Sequence, residues 1–64
     1  MLTINGEKVD AAGLSLADYL KEAGFDAKRV AVELNLEIIP PEQFEKTVLK
    51  DGDSVEIVRF VQGG

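Results

Sequence analysis

The sequence contains no cysteine, histidine or tryptophan, and these absences exclude several classes of chemistry. Without cysteine there is neither a disulfide nor a thiol nucleophile, and without cysteine and histidine the usual zinc ligands are missing. The absence of histidine also removes the commonest general base. Positive charge is scarce: seven Lys and Arg stand against twelve Asp and Glu, a formal net charge of −5. Nucleic acid is therefore disfavoured as a partner, because its phosphates bind basic surfaces.

Long apolar runs are also missing, and none approaches the ~20 residues that a membrane-spanning helix needs. Residues 1–5 carry no basic segment followed by an apolar run, so no signal peptide and a cytoplasmic location are expected. With 64 residues the chain is expected to form one small domain, residues 1–64, that is a monomer alone. A domain of this size buries only ~60% of its unfolded surface and leaves little room for a catalytic cleft. We therefore expect a protein on which other proteins act.

The first elements are predicted from short-range signals. Asn5-Gly6, between two short alternating runs, predicts a hairpin with a type I′ turn, which places Leu2 opposite Val9. A helix is predicted to follow, with Ser15 as N-cap, Leu16 and Leu20 on its apolar stripe and Gly24 as its left-handed C-terminal residue.

The second half of the chain reads as strands joined by turns. Residues 30–34 alternate, Asn35-Leu36 predicts a turn, and residues 37–39 form a short strand. Leu36 disfavours a type I′ turn there, since leucine is a poor residue for positive φ. Pro41 opens one helical turn, Phe44 and Leu49 are core anchors, and residues 54–61 form the last strand. Asp51-Gly52-Asp53 fits a polar turn better than a cation-binding loop, because too few oxygen ligands accompany it.

This order of elements predicts an α+β fold, the β-grasp or ubiquitin-like roll. One main helix would pack across a mixed sheet of four or five strands, with the first and last strands parallel. Residues 62–64 would form a flexible diglycine tail. In the last strand Val55 and Ile57 should face the helix, which leaves Val58 and Phe60 on the outer face as a docking surface. The alternative is that a loop, or the connection from Pro40 to Leu49, covers them.

The terminal diglycine is the strongest functional signal of the chain. Two terminal glycines arise by chance in roughly one chain in two hundred. Gly63 and Gly64 have no Cβ, so they can thread a channel too narrow for other residues. The α-carboxylate of Gly64 is ionised at pH 7 and can attack an activated phosphate.

Together these segments resemble a known family, the sulfur carrier proteins of thiamin biosynthesis (ThiS type). The resemblance covers essentially the whole chain and is carried by Ile4-Asn5-Gly6, residues 16–20, 30–35 and 38–40, residues 51–58, and the end Phe60-Val61-Gln62-Gly63-Gly64. The family often has a basic residue where Pro41 stands here, so this chain lacks a charge for a partner to contact at that point. The small subunit of molybdopterin synthase shares the fold and the diglycine but is usually longer.

The resemblance implies a carrier rather than an enzyme, with no cofactor bound by the chain itself. A ubiquitin-activating-type adenylyltransferase would use ATP to adenylate the Gly64 carboxylate. Sulfur relayed from a cysteine desulfurase would convert it to a thiocarboxylate, and thiazole synthase would accept that sulfur. Val58, Phe60, Val61 and Gln62 would contact these partners. Three alternatives stay open: a sulfur carrier of the molybdopterin-synthase type, a β-grasp interaction module without carrier chemistry, and conjugation to lysines.

Overall fold

The structure, a computed structural model, describes residues 1–60. Within them the chain forms one α-helix, two 3-10 turns (Ala27–Arg29 and Pro41–Gln43) and one sheet of five strands in the order β2-β1-β5-β3-β4. The elements are β1 (Leu2–Ile4), β2 (Glu7–Val9), α1 (Leu16–Glu22), β3 (Val30–Leu34), β4 (Glu37–Ile39) and β5 (Ser54–Arg59). β5 is central, parallel to β1 and antiparallel to β3. The predicted β-grasp fold is confirmed.

The hairpin at the amino end forms in the predicted register, with Leu2 opposite Val9. Asn5 and Gly6 have φ values of 50° and 83°, the positive values that a type I′ turn requires. The Asn5 carboxamide also reaches β5: its Oδ1 accepts from the Ile57 amide at 2.7 Å, and its Nδ2 donates to the Ile57 carbonyl at 3.1 Å. One asparagine thus shapes the turn and joins it to the central strand.

Both ends of α1 follow the sequence signals. The Ser15 hydroxyl accepts a hydrogen bond from the Asp18 amide at 3.1 Å. At the other end Gly24 has a φ of 84°, and the Phe25 amide donates to the Leu20 carbonyl at 2.8 Å. This is the bond that defines a Schellman motif.

The structure also shows that no helix in residues 1–60 has the length and apolarity to cross a membrane.

The connection from β4 to β5 packs against the start of α1. The Leu16 amide donates to the Thr47 carbonyl at 2.7 Å and the Ala17 amide to the Phe44 carbonyl at 3.0 Å. Amides of a first helical turn have no hydrogen-bond acceptor within the helix. The connection supplies an acceptor for the amides of Leu16 and Ala17. The predicted core anchors Phe44 and Leu49 are buried, 2% and 1% exposed.

The core lies between α1, the connection and one face of the sheet. Both Leu16 and Leu20 of the predicted helical stripe are buried, as are Val55 and Ile57 of the last strand. The eleven buried apolar residues of the described part are Leu2, Ile4, Ala11, Leu16, Leu20, Val30, Val32, Phe44, Leu49, Val55 and Ile57.

The turn at Asn35-Leu36 has positive φ at both residues, 50° and 72°, although leucine is poorly suited to it. Asn35 is held from three directions. Its amide donates to the Ser54 carbonyl at 2.8 Å, its Oδ1 accepts from the Ser54 amide at 2.9 Å, and its Nδ2 donates to Asp53 at 3.1 Å. These bonds to the start of β5 explain how the turn tolerates Leu36.

Candidate functional site

Two contacts join the end of β5 to the segment between α1 and β3. The Phe60 amide donates to the Arg29 carbonyl at 2.8 Å. The Arg59 guanidinium lies 4.7 Å from the centre of the Phe25 ring, within the range of a cation–π contact. Strand β5 ends at Arg59, whereas the sequence predicted a strand as far as residue 61. Phe60 therefore lies beyond the strand, and Val61 lies outside the described residues.

The predicted site residues fall into two groups. Gln62, Gly63 and Gly64, with the predicted flexible tail of residues 62–64, lie outside the described residues, as does Val61. Val58 and Phe60 are described, and their side chains are 59% and 54% exposed. The alternative in which a loop or the connection from Pro40 to Leu49 covers them is wrong for the described residues, because both side chains are exposed and the connection bonds to the start of α1 instead. Their contact with partners stays a prediction.

The exposed face of the sheet contains a third apolar side chain that sequence reasoning did not single out. Ile38 of β4 is 69% exposed, and with Ala31 and Val58 it lines a shallow groove. We call the side chains of Ala31, Ile38, Val58 and Phe60 the outer apolar face. The register explains the exposure of Ile38: its neighbour Ile39 pairs with Val32, which is buried, so alternation turns Ile38 outwards.

The acidic turn after the connection has a structural role in the described residues. Asp53 accepts a hydrogen bond from the Lys50 amide at 2.9 Å as well as the bond from Asn35. Asp51 binds the ammonium group of Met1 at 2.6 Å, a hydrogen bond that raises the pKa of that group. Within residues 1–60 no group of three acidic side chains is placed to hold a metal ion. The hydrogen bonds of Asp51 and Asp53 fit the interpretation as a polar turn.

The five-stranded mixed sheet, its crossing helix and its central last strand define a ubiquitin-like protein of the β-grasp class. The sequence profile of the ThiS family matches residues 2–64. A sulfur carrier protein ThiS from Thermus thermophilus is 41% identical over the full length of both chains. The crystal structure of a thiamine biosynthesis protein (ThiS) from Geobacter metallireducens superposes with a TM-score of 0.79 at 42% identity, covering 98% of this chain and 97% of that one.

A further relative is larger. The protein named thiazole synthase from Paramagnetospirillum magneticum is 44% identical over 64 residues, and the match spans 98% of this chain but only 20% of that protein. The chain thus spans about one fifth of the length of this relative.

This chain belongs to the ThiS family. The predicted family is confirmed. The predicted class of function, a sulfur carrier of thiamin biosynthesis, is confirmed with it. The prediction that the chain is a carrier and not an enzyme is likewise confirmed, because two relatives that match over their full length are named sulfur carrier proteins. The match to the ThiS profile over residues 2–64 also favours the ThiS family over the molybdopterin-synthase small subunit as the family of this chain.

Proposed function

We propose that Gly64 is the residue that carries the sulfur. The Gly64 carboxylate attacks the α-phosphate of ATP on a ubiquitin-activating-type adenylyltransferase, and pyrophosphate leaves. A persulfide sulfur supplied by a cysteine desulfurase then attacks the carbonyl carbon of the acyl adenylate, and AMP leaves. A second thiol cleaves the sulfur–sulfur bond and is itself oxidised to a disulfide, which leaves a thiocarboxylate on Gly64. The chain binds no cofactor itself, and ATP belongs to the activating enzyme.

The observation that carries this proposal is a terminal diglycine that follows the central strand of a ThiS-family fold. The 64 residues include no cysteine, so the sequence offers no thiol on which the sulfur could be held. Activation is needed because a carboxylate is a poor electrophile until one of its oxygens becomes part of a leaving group. Gly63 serves the same step, since glycine can adopt any backbone conformation that a narrow channel demands.

The acceptor we propose is thiazole synthase, in the cytoplasm. Support comes from the relative named thiazole synthase, of which a domain like this chain makes up one fifth. The docking surface we propose comprises Val58 and Phe60 together with Val61 and Gln62, which lead on to the tail. Two large apolar side chains that are more than half exposed beside a reactive tail are typical of a binding surface.

The tail chemistry is tested by the mass of the intact protein after incubation with its activating enzyme, ATP, a cysteine desulfurase, cysteine and a reducing thiol. We expect a mass gain that corresponds to one oxygen replaced by sulfur. Deleting Gly64, or adding one alanine after it, should abolish the gain and leave the melting temperature nearly unchanged. Adding one alanine before Met1 is the matched control. A normal mass gain in the protein extended after Gly64 would refute the proposal, as would its appearance as a conjugate on other proteins.

The docking surface is tested by Phe60→Ala in a calorimetric titration with the activating enzyme and with thiazole synthase. Binding to at least one of them should weaken by about 1–3 kcal/mol, with little change in the melting temperature of the free protein. Val48→Ala is a matched control, because Val48 is also an exposed apolar residue, 48%, but lies on the connection. Unchanged affinity together with a large loss of stability would show that Phe60 supports the fold instead.

A further inference from the structure

Two carboxylates on the exposed face of the sheet stand directly opposite each other. Glu33 of β3 pairs in register with Glu56 of β5. Their neighbours Val32 and Val55 are buried, so alternation places both glutamates on the side away from α1. Cβ atoms of directly opposed residues lie roughly 4.5–5.5 Å apart, and like charges at such positions destabilise a sheet.

No ion pair in the described part of the chain includes either carboxylate. All seven Lys and Arg residues lie within residues 1–60. The ion pairs there join Met1 to Asp51 and Arg29 to Asp26, and neither involves Glu33 or Glu56. A local arrangement that works against folding without compensation is typical of a functional position.

The carboxylates border the outer apolar face. Glu33 pairs with Ile38 on one side and with Glu56 on the other, while Ala31 and Val58 form the next pair along the same strands. Because the Ala31 side chain is small, a groove remains open between Ile38 and Val58. Glu33 and Glu56 line the same groove. An apolar side chain and a cation that lie next to each other on a partner would therefore fit this surface.

We propose that thiazole synthase docks on this face with an arginine that bridges Glu33 and Glu56 and an adjoining apolar side chain in the groove. This rests on the proposed function, which makes thiazole synthase the acceptor. Arginine fits better than lysine, because its planar guanidinium presents five donors and can bind carboxylates on two sides, and because it is weakly hydrated and tolerates an apolar surface. A divalent metal fits less well, since calcium takes six to eight oxygen ligands.

The test uses the full chain with Glu33→Gln and Glu56→Gln combined, titrated against thiazole synthase at low and at high salt. At low salt the double variant should bind roughly ten- to hundredfold more weakly, the effect of losing hydrogen bonds between charged groups. Its affinity should also depend less on salt. The free variant should melt at a higher temperature than the wild type, because the repulsion is gone. The matched control combines Glu37→Gln with Glu42→Gln, which removes the same charge away from this pair and should leave the affinity unchanged.

Three results would overturn the inference. Unchanged affinity of the Glu33/Glu56 variant would exclude the bridge, and an equal loss in the control variant would indicate only a general attraction between net charges. Weaker binding to the activating enzyme but not to thiazole synthase would show that the commitment to thiazole synthase is wrong. Formation of the Gly64 thiocarboxylate is measured separately by mass. The proposed tail chemistry can therefore fail while the binding result is still interpretable, and the reverse also holds.

Discussion

Replacing Asn5 by alanine should lower the free energy of unfolding by about 2–4 kcal/mol. Two hydrogen bonds to the Ile57 backbone, at 2.7 and 3.1 Å, would be lost, and each contributes roughly 0.5–1.5 kcal/mol net. Alanine would also have to adopt the φ of 50° that this turn requires, which adds about 1 kcal/mol of strain. A chain of 64 residues has a total stability of roughly 3–10 kcal/mol, so the loss is a large share of it.

A second variant separates the two contributions. Asn5→Gly removes the same hydrogen bonds but tolerates positive φ, so it should lose about 1–3 kcal/mol and remain about 1 kcal/mol more stable than Asn5→Ala. Urea titration followed by circular dichroism measures both, provided that the slope with urea is unchanged. A glycine variant as stable as the wild type would refute the view that these bonds hold the hairpin to β5. Equal stability of the two variants would show that the turn is not strained by alanine.

Two further changes test the helix stripe and the second turn. Leu20→Ala should cost about 2–5 kcal/mol, because Leu20 is only 1% exposed and its removal leaves a cavity; a thermal melt that matches the wild type would contradict its place in the core. Leu36→Asn should raise the stability by about 1 kcal/mol and the melting temperature by roughly 4–8 °C, since asparagine tolerates the φ of 72° and Leu36 is 89% exposed. A lower melting temperature would show that Leu36 makes a stabilising contact.

The first hairpin and the ends of α1 could be predicted from the sequence because their causes lie within a few residues. Asn5-Gly6 tolerates the two positive φ values of a type I′ turn. Ser15 can bond to an amide three residues on, and Gly24 can take the left-handed conformation that ends a helix. Alternation in the last strand likewise placed Val55 and Ile57 in the core without knowledge of the neighbouring strands.

The proposed tail chemistry is based on the sequence alone. The carboxylate of Gly64 and the absence of a side chain at Gly63 are covalent properties. They need no tertiary contact to be recognised, although Gly63 and Gly64 themselves lie outside the described residues.

Other features depend on contacts between distant segments. Local preference alone disfavours Leu36 in a type I′ turn, yet the turn forms because Asn35 bonds to Asp53 and Ser54, eighteen and nineteen residues away. The opposition of Glu33 and Glu56, 23 positions apart in sequence, arises only from the register of β3 against β5. Strand register is set by the burial of a whole face rather than by neighbouring residues, so alternation could place Val58 and Phe60 on the outer face, but the pairing of the two carboxylates became visible only in the folded chain.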